Sequence, residues 1–131
     1  MQNNMANLIV YGSPADSYGN DILSIAVYED NVLKANLTAS GGTVRLNASK
    51  TITFNVTICL NNTLVSSQNE AVQYTRVYLN ITGVVTNAEL TNVNIWADTN
   101  FYYLIEKYTI NPNTLIGGQT YECTFKYQAY Y

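Results

Sequence analysis

TITFNVTICL, residues 51–60, reads as one long extended strand. Ile52, Phe54, Val56, Ile58 and Leu60 fall on one side of it, and Thr51, Thr53, Asn55, Thr57 and Cys59 on the other. Successive side chains of a β-strand point to opposite faces, so one face belongs in a core and the other on a polar surface. At roughly 3.3 Å per residue the run spans about 33 Å, longer than most strands.

The same alternation recurs outward in both directions. Residues 7–11, 22–28, 32–38 and 43–48 read as strands before it, and 72–82, 88–97, 101–110 and 120–131 after it. Between them lie turn signals: 12–21, the acidic EDN at 29–31, Ser40-Gly41-Gly42, Asn61-Asn62, Gly83, and the loop 111–118. The paired glycines at 41–42 supply the positive φ of a tight hairpin. Residues 63–67 form a short piece and 68–71 a loop leading into the 72–82 strand. No stretch carries an apolar stripe of helical period, and β-branched and aromatic residues dominate. The expected fold is all-β: an antiparallel β-sandwich, Ig-like or jelly roll, with eight to ten strands. An up-and-down barrel is the second choice. The 131 residues form a single domain, with 1–6 a flexible or docking tail.

Composition narrows the function. Charged residues are 11% of the chain, against roughly 25% in an average domain, and histidine is absent. Asn (18), Thr (15) and Tyr (12) take their place. Such a surface hydrogen-bonds to water without depending on ionisation and changes little in acid or salt. Drift toward Asn and Tyr in an AT-rich genome would produce the same surface. The net charge of −3 and the six scattered basic residues argue against nucleic acid as a partner. No run approaches the ~20 apolar residues of a transmembrane helix, and the first residues lack the pattern of an export signal.

The inventory for catalysis is thin. Without His there is no Ser-His-Asp or Cys-His pair, and no phosphate loop or metalloprotease motif appears. The nine carboxylates are spread along the chain, with nothing to force two together. The expectation is a non-enzyme with no cofactor and no metal. Cys59 and Cys123 fit no zinc spacing. They are a candidate disulfide, but Cys59 lies on the polar face of its strand while Cys123 shares a face with Tyr121, Phe125 and Tyr127, so a bridge would need a bulge or an edge pairing. Five N-x-S/T sites, at Asn36, Asn47, Asn55, Asn61 and Asn80, are candidate glycan acceptors, with Asn55 and Asn80 on polar strand faces and Asn61 at a turn. Trp96, beside Asn92 and Asn94, is a candidate platform for stacking a sugar. The tyrosines suit either contacts between copies of the chain or half-buried strand positions with a wet hydroxyl.

From SGGTVRLNASKTITFNVTICLNN to LIGGQTYECTFKYQAYY the chain resembles small Ig-like or jelly-roll sandwiches. Its low-charge, His-free, Asn/Thr/Tyr-rich style is similar to virion structural proteins of archaeal viruses and to extracellular filament subunits of thermoacidophilic archaea. Filament subunits carry an export signal and virion proteins do not, which favours the virion. The resemblance implies a self-assembling, acid-tolerant structural protein of a virus particle (capsid, turret, spike or tail) whose partners are its own copies and other virion or surface proteins. A carbohydrate-binding or adhesin module at a cell surface, with glycans as partner, is the competing expectation. Leu8, Ile9 and Val10 at one end, and Ala129, Tyr130 and Tyr131 at the other, are the candidate docking strands.

Overall fold

Alternating side chains become strands throughout, and the strands assemble into two facing sheets. In the computed structural model, residues 4–16, 19–63 and 65–129 are described. The elements are β1 (Met5–Gly12), β2 (Asp21–Glu29), β3 (Val32–Leu37), β4 (Gly42–Asn47), β5 (Ile52–Asn61), α1 (Gln68–Tyr74), β6 (Thr75–Ile81), β7 (Val85–Glu89), β8 (Thr91–Ala97), β9 (Phe101–Ile110) and β10 (Thr120–Ala129). One five-stranded sheet, here sheet A, has the order β4-β1-β10-β6-β7, and sheet B has the order β3-β2-β5-β9-β8. The fold is the expected all-β sandwich. Every pairing is antiparallel except that of β1 with β10, which run parallel with Leu8 opposite Tyr121 and Val10 opposite Cys123.

The 51–60 run becomes β5, the middle strand of sheet B, and its five apolar side chains are all buried. β10 is the middle strand of sheet A. Phe54 and Phe125 meet across the core between these strands, with ring centroids 5.1 Å apart in an edge-to-face arrangement. Ala6, Leu8, Val10, Val77, Leu79 and Ile81 complete the sheet A side, and Ile25, Val27 and Leu104 the sheet B side. The turn at 29–31 is as read: Asp30 (φ 45°) and Asn31 (φ 65°) both take the left-handed region, the requirement of a two-residue hairpin turn.

Three local readings change. Ser40-Gly41-Gly42 does not close a hairpin, because β3 and β4 belong to different sheets. Gly41 instead carries the chain across the edge of the sandwich at φ +83°, where an added Cβ would lie 1.9 Å from the Val10 carbonyl oxygen. Residues 88–97 are not one strand: the chain leaves sheet A at Glu89 and enters sheet B at Thr91. Leu90 anchors the step, buried and donating its N–H to the Val77 carbonyl at 2.8 Å. The 72–82 strand begins only at Thr75, since Gln68–Tyr74 is helical. Ser67 caps the helix by accepting the Glu70 N–H at 3.2 Å, and the Glu70 carboxylate accepts the Ser66 N–H at 2.6 Å and the Ser66 hydroxyl. That is a variant of the capping box, with the carboxylate reaching the residue before the cap, on a helix too short to show an apolar stripe. These hydrogen bonds, the Ser66 hydroxyl first, hold the Glu70 carboxyl below the usual carboxylate range.

β1 is an interior strand, paired with β4 on one side and β10 on the other. Removing residues 1–11 would therefore take Ala6, Leu8 and Val10 out of the core. Such a deletion is expected to abolish the folded far-UV signal. Gly41→Ala is expected to destabilise the chain by about 3 kcal/mol or more in a denaturant titration, since strain and a backbone clash coincide there. A loss near the few tenths of an ordinary surface substitution would contradict the crossing geometry.

Candidate functional site

Two surfaces gather polar or aromatic groups beyond what the fold requires. The first lies on the outer face of sheet B. Cross-strand register aligns Asp21, Cys59, Tyr103 and Trp96 in one row over β2, β5, β9 and β8. Trp96 stacks on Tyr103, with centroids 5.4 Å apart and planes at 14°, and Phe101 lies 6.2 Å from Tyr103. The Tyr103 hydroxyl donates to Asp98 Oδ2 at 2.6 Å, while Asp98 Oδ1 accepts the N–H groups of Asn100 (3.0 Å) and Phe101 (2.9 Å). These donors, Tyr103 first, hold the Asp98 carboxyl below its ordinary range, and the bond to Asp98 pushes the Tyr103 hydroxyl above its own. Asn62 braces the same turn through its amide to the Thr99 carbonyl at 2.8 Å. Trp96 remains 39% exposed on β8, an edge strand.

The second surface is a cleft of about 280 Å³ where α1 packs against β6, β8 and β9. Its lining includes Val72, Thr75, Arg76, Glu89, Leu90, Asn92 and Glu106. Glu106 sits on the inward face of β9 and is only 3% exposed, and its Oε2 has no hydrogen-bond partner. Thr75, inward on β6 of the opposite sheet, has a buried Oγ1 that is likewise unpartnered. Arg76 donates through Nη1 to the carbonyls of Val72 (3.2 Å), Gln73 (2.9 Å) and Thr75 (2.9 Å), closing the C-terminal turn of α1. Its Nε is 2.9 Å from Glu89 Oε1. Burial pushes the Glu106 carboxyl up to about 7, the Asn92 amide and the Arg76 charge pull against this, and Glu89 adds to it. In the sequence Glu106 is marked only by Leu104-x-Glu106-x-Tyr108-x-Ile110, which places a carboxylate among inward positions.

The residues singled out from sequence are not brought together. Leu8 and Val10 point into the core, and Ile9 alone of that trio reaches the surface. Ala129 pairs with Thr75, and Tyr130 and Tyr131 lie outside the described residues. Cys59 and Cys123 are free, buried thiols in different sheets. Cys59 Sγ donates to the Gly19 carbonyl at 3.8 Å, and burial pushes the Cys123 thiol up to about 12. Of the five sequons, Asn36 is exposed. Asn55 is half-buried with a shielded, unpartnered Oδ1, so the expected exposed acceptor is not found there: β2 and β9 flank it on both sides. Asn47 Oδ1 accepts the Ser49 N–H (2.9 Å) and hydroxyl (2.6 Å), and Asn61 Oδ1 accepts the Thr63 N–H (3.0 Å) and hydroxyl (2.9 Å). Asn80 and Asn87 bind each other, at 3.1 Å through the Asn80 amide and at 2.9 Å through the Asn87 N–H.

Among the described residues no helix is long and apolar enough to cross a membrane. No protein-family model and no curated protein matches the chain.

The raised Glu106 value has a consequence for stability. Between about pH 4.5 and 7 the folded chain keeps a proton that the unfolded chain has lost, so stability falls as pH rises through that window. Below 4.5 both states are protonated and the effect disappears. Glu106→Gln is therefore expected to stabilise the fold by on the order of 2 kcal/mol at about pH 8 and hardly at all at about pH 4. Thermal melts across pH check this, and an equal gain at both ends would contradict it.

Proposed function

We propose that this chain is a non-enzymatic structural subunit that assembles with copies of itself, and that it serves in a virus particle as a capsid, turret, spike or tail component. The observation that carries the assembly reading is the edge of sheet B formed by β8. Its sequence, TNVNIWA, has no charged residue and no proline, two of the devices that guard an open edge, and its one irregularity is a register shift between Asn92 and Asn94. Val93 (52%) and Trp96 (39%) are exposed along it, continuous with Tyr103 and Phe101 on the outer face. The opposite edge, β3, exposes Val32 and Leu33. An edge strand with unpaired backbone groups and apolar side chains is a template for adding another strand or for burying an aromatic face.

The virion assignment rests on the style of the sequence. Three ion pairs link described residues, two of them the long contacts Lys34–Glu29 (3.7 Å) and Lys50–Asp30 (3.6 Å). Pairs as long as these contribute little, so the surface depends only weakly on ion pairs when carboxylates protonate. That suits a particle meeting acid.

Binding of a glycan is favoured by a different observation. Trp96 is part of a stacked aromatic pair beside a well-held carboxylate, the furniture of a sugar platform. In that reading Trp96→Ala removes glycan retention on an array and leaves the mass in solution unchanged.

Light scattering behind a sizing column, at neutral and acidic pH, tests the assembly reading. The wild type is expected to run as a defined oligomer or growing filament, and a V93K/W96E double variant as a folded 14.6 kDa monomer. A wild type that stays monomeric under both conditions sinks it.

A further inference from the structure

The cleft beneath α1 has a chemistry that neither assembly nor aromatic stacking uses. We propose that it is a binding site for a small ligand carrying a primary ammonium group on a slim aliphatic chain, with Glu106 and Thr75 as its acceptors.

The argument starts from what the surrounding groups have already spent. Arg76 is engaged by Glu89 and by three carbonyls at the end of α1. The Asn92 amide donates to the carbonyls of Asn94 (3.0 Å) and Ile105 (3.4 Å). Arg76 Nε and Nη1 and the Asn92 amide are thus already engaged, and the buried wall atoms left without partners are two oxygens, Glu106 Oε2 and Thr75 Oγ1. A buried acceptor without a donor costs free energy that a donor ligand recovers. Once Glu106 is ionised its Oε2 can only accept, and the Thr75 hydroxyl can accept as well as donate, so a ligand that brings hydrogens answers both.

Charge selects among donors. Facing the cleft are one cation, Arg76, and two carboxylates, Glu89 and Glu106, leaving one negative charge in excess when Glu106 is ionised. A carboxylate 3% exposed and lacking a cation of its own is best answered by a positive ligand, because charge-assisted hydrogen bonds in a poorly solvated site are the strong ones. An ammonium supplies charge and donors from one atom. The volume, about 280 Å³, is several times the roughly 30 Å³ share of a water molecule, so the space exceeds what one bridging water fills. Val72 and Leu90 give the cleft aliphatic walls suited to methylene groups. Binding must also displace the proton that the buried Glu106 carboxyl retains up to about pH 7, so affinity rises with pH.

The test uses the full chain labelled with 13C at the glutamate carboxyls, titrated with n-butylammonium and followed by NMR. A saturable change at Glu106 is expected at about pH 8.5, weakened roughly 30-fold at about pH 5.5 where the carboxyl holds its proton. Glu106→Gln and Thr75→Val are each expected to weaken binding about tenfold or more, read by calorimetry on variants whose melts show them folded. Three controls separate the alternatives. No saturable change in the wild type up to on the order of 10 mM overturns the proposal, and this needs no variant. An equal response to n-butanol would mean an apolar slot without charge recognition and overturns it. An equal response to potassium chloride at the same concentration would mean a bare cation suffices, and overturns it too.

Discussion

The contact between Phe54 and Phe125 is the constraint on which the sandwich depends. Each ring sits on the middle strand of its sheet, so the pair fixes where the two sheets lie face to face. Edge-to-face geometry adds about 0.5–1.5 kcal/mol to the burial of two large side chains. Its larger effect is positional. β5 carries β2 and β9 on its flanks, and β10 carries β1 and β6, so the register of the one aromatic pair propagates outward through four ladders. β10 is also the last strand and β1 the first, and their parallel pairing closes sheet A only when nearly the whole chain is present. The core is thus locked by its most distant segments, a topology with slow folding because loop closure precedes the contacts that reward it.

The abundance of asparagine acquires a structural meaning. Asn47 and Asn61 accept backbone N–H groups at strand ends, Asn80 accepts one across from β6 to β7, and Asp98 does the same job in the 98–100 turn. In the first two cases the residue two positions on is Ser49 or Thr63, whose N–H and hydroxyl both bind the asparagine oxygen. That is an Asx turn reinforced by a hydroxyl, and its spacing is the spacing of a sequon. Asn-x-Ser/Thr at those two positions therefore has a conformational cause that holds whether or not a glycan is attached.

Strand existence was legible in the sequence because one face of each sheet is buried and the period of two survives in residues such as 52–60 and 101–110. The sheet each strand joins was not legible. The apolar alternation changes phase after Leu90, from Ala88 and Leu90 to Val93, Ile95 and Ala97, but such a break reads equally well as a bulge within one strand. The glycines at 41–42 read as a hairpin because positive φ serves a crossing as well as a turn. The helix was missed for want of an apolar stripe, although Ser67-x-x-Glu70 carried its cap in plain view. Glu106 was legible in principle, as a carboxylate at an inward position, but its cleft needs Thr75 from the other sheet and α1 above it. Only the fold brings those together.

Edge strand β8 joins the two surfaces. Its register shifts between Asn92 and Asn94, a bulge that leaves Val93 unpaired and exposed. Bulges at edges re-aim side chains and strengthen local twist. Here Val93 stands out from the sheet, while Asn92 on the inward side lines the cleft with Glu106 and on the outward side Trp96 joins Tyr103. A neighbouring strand added along β8 would have to accommodate that bulge, and with it the backbone that holds Asn92 beside the carboxylate. The apolar edge and the acidic cleft are therefore not independent features: the same irregularity of a single strand shapes both.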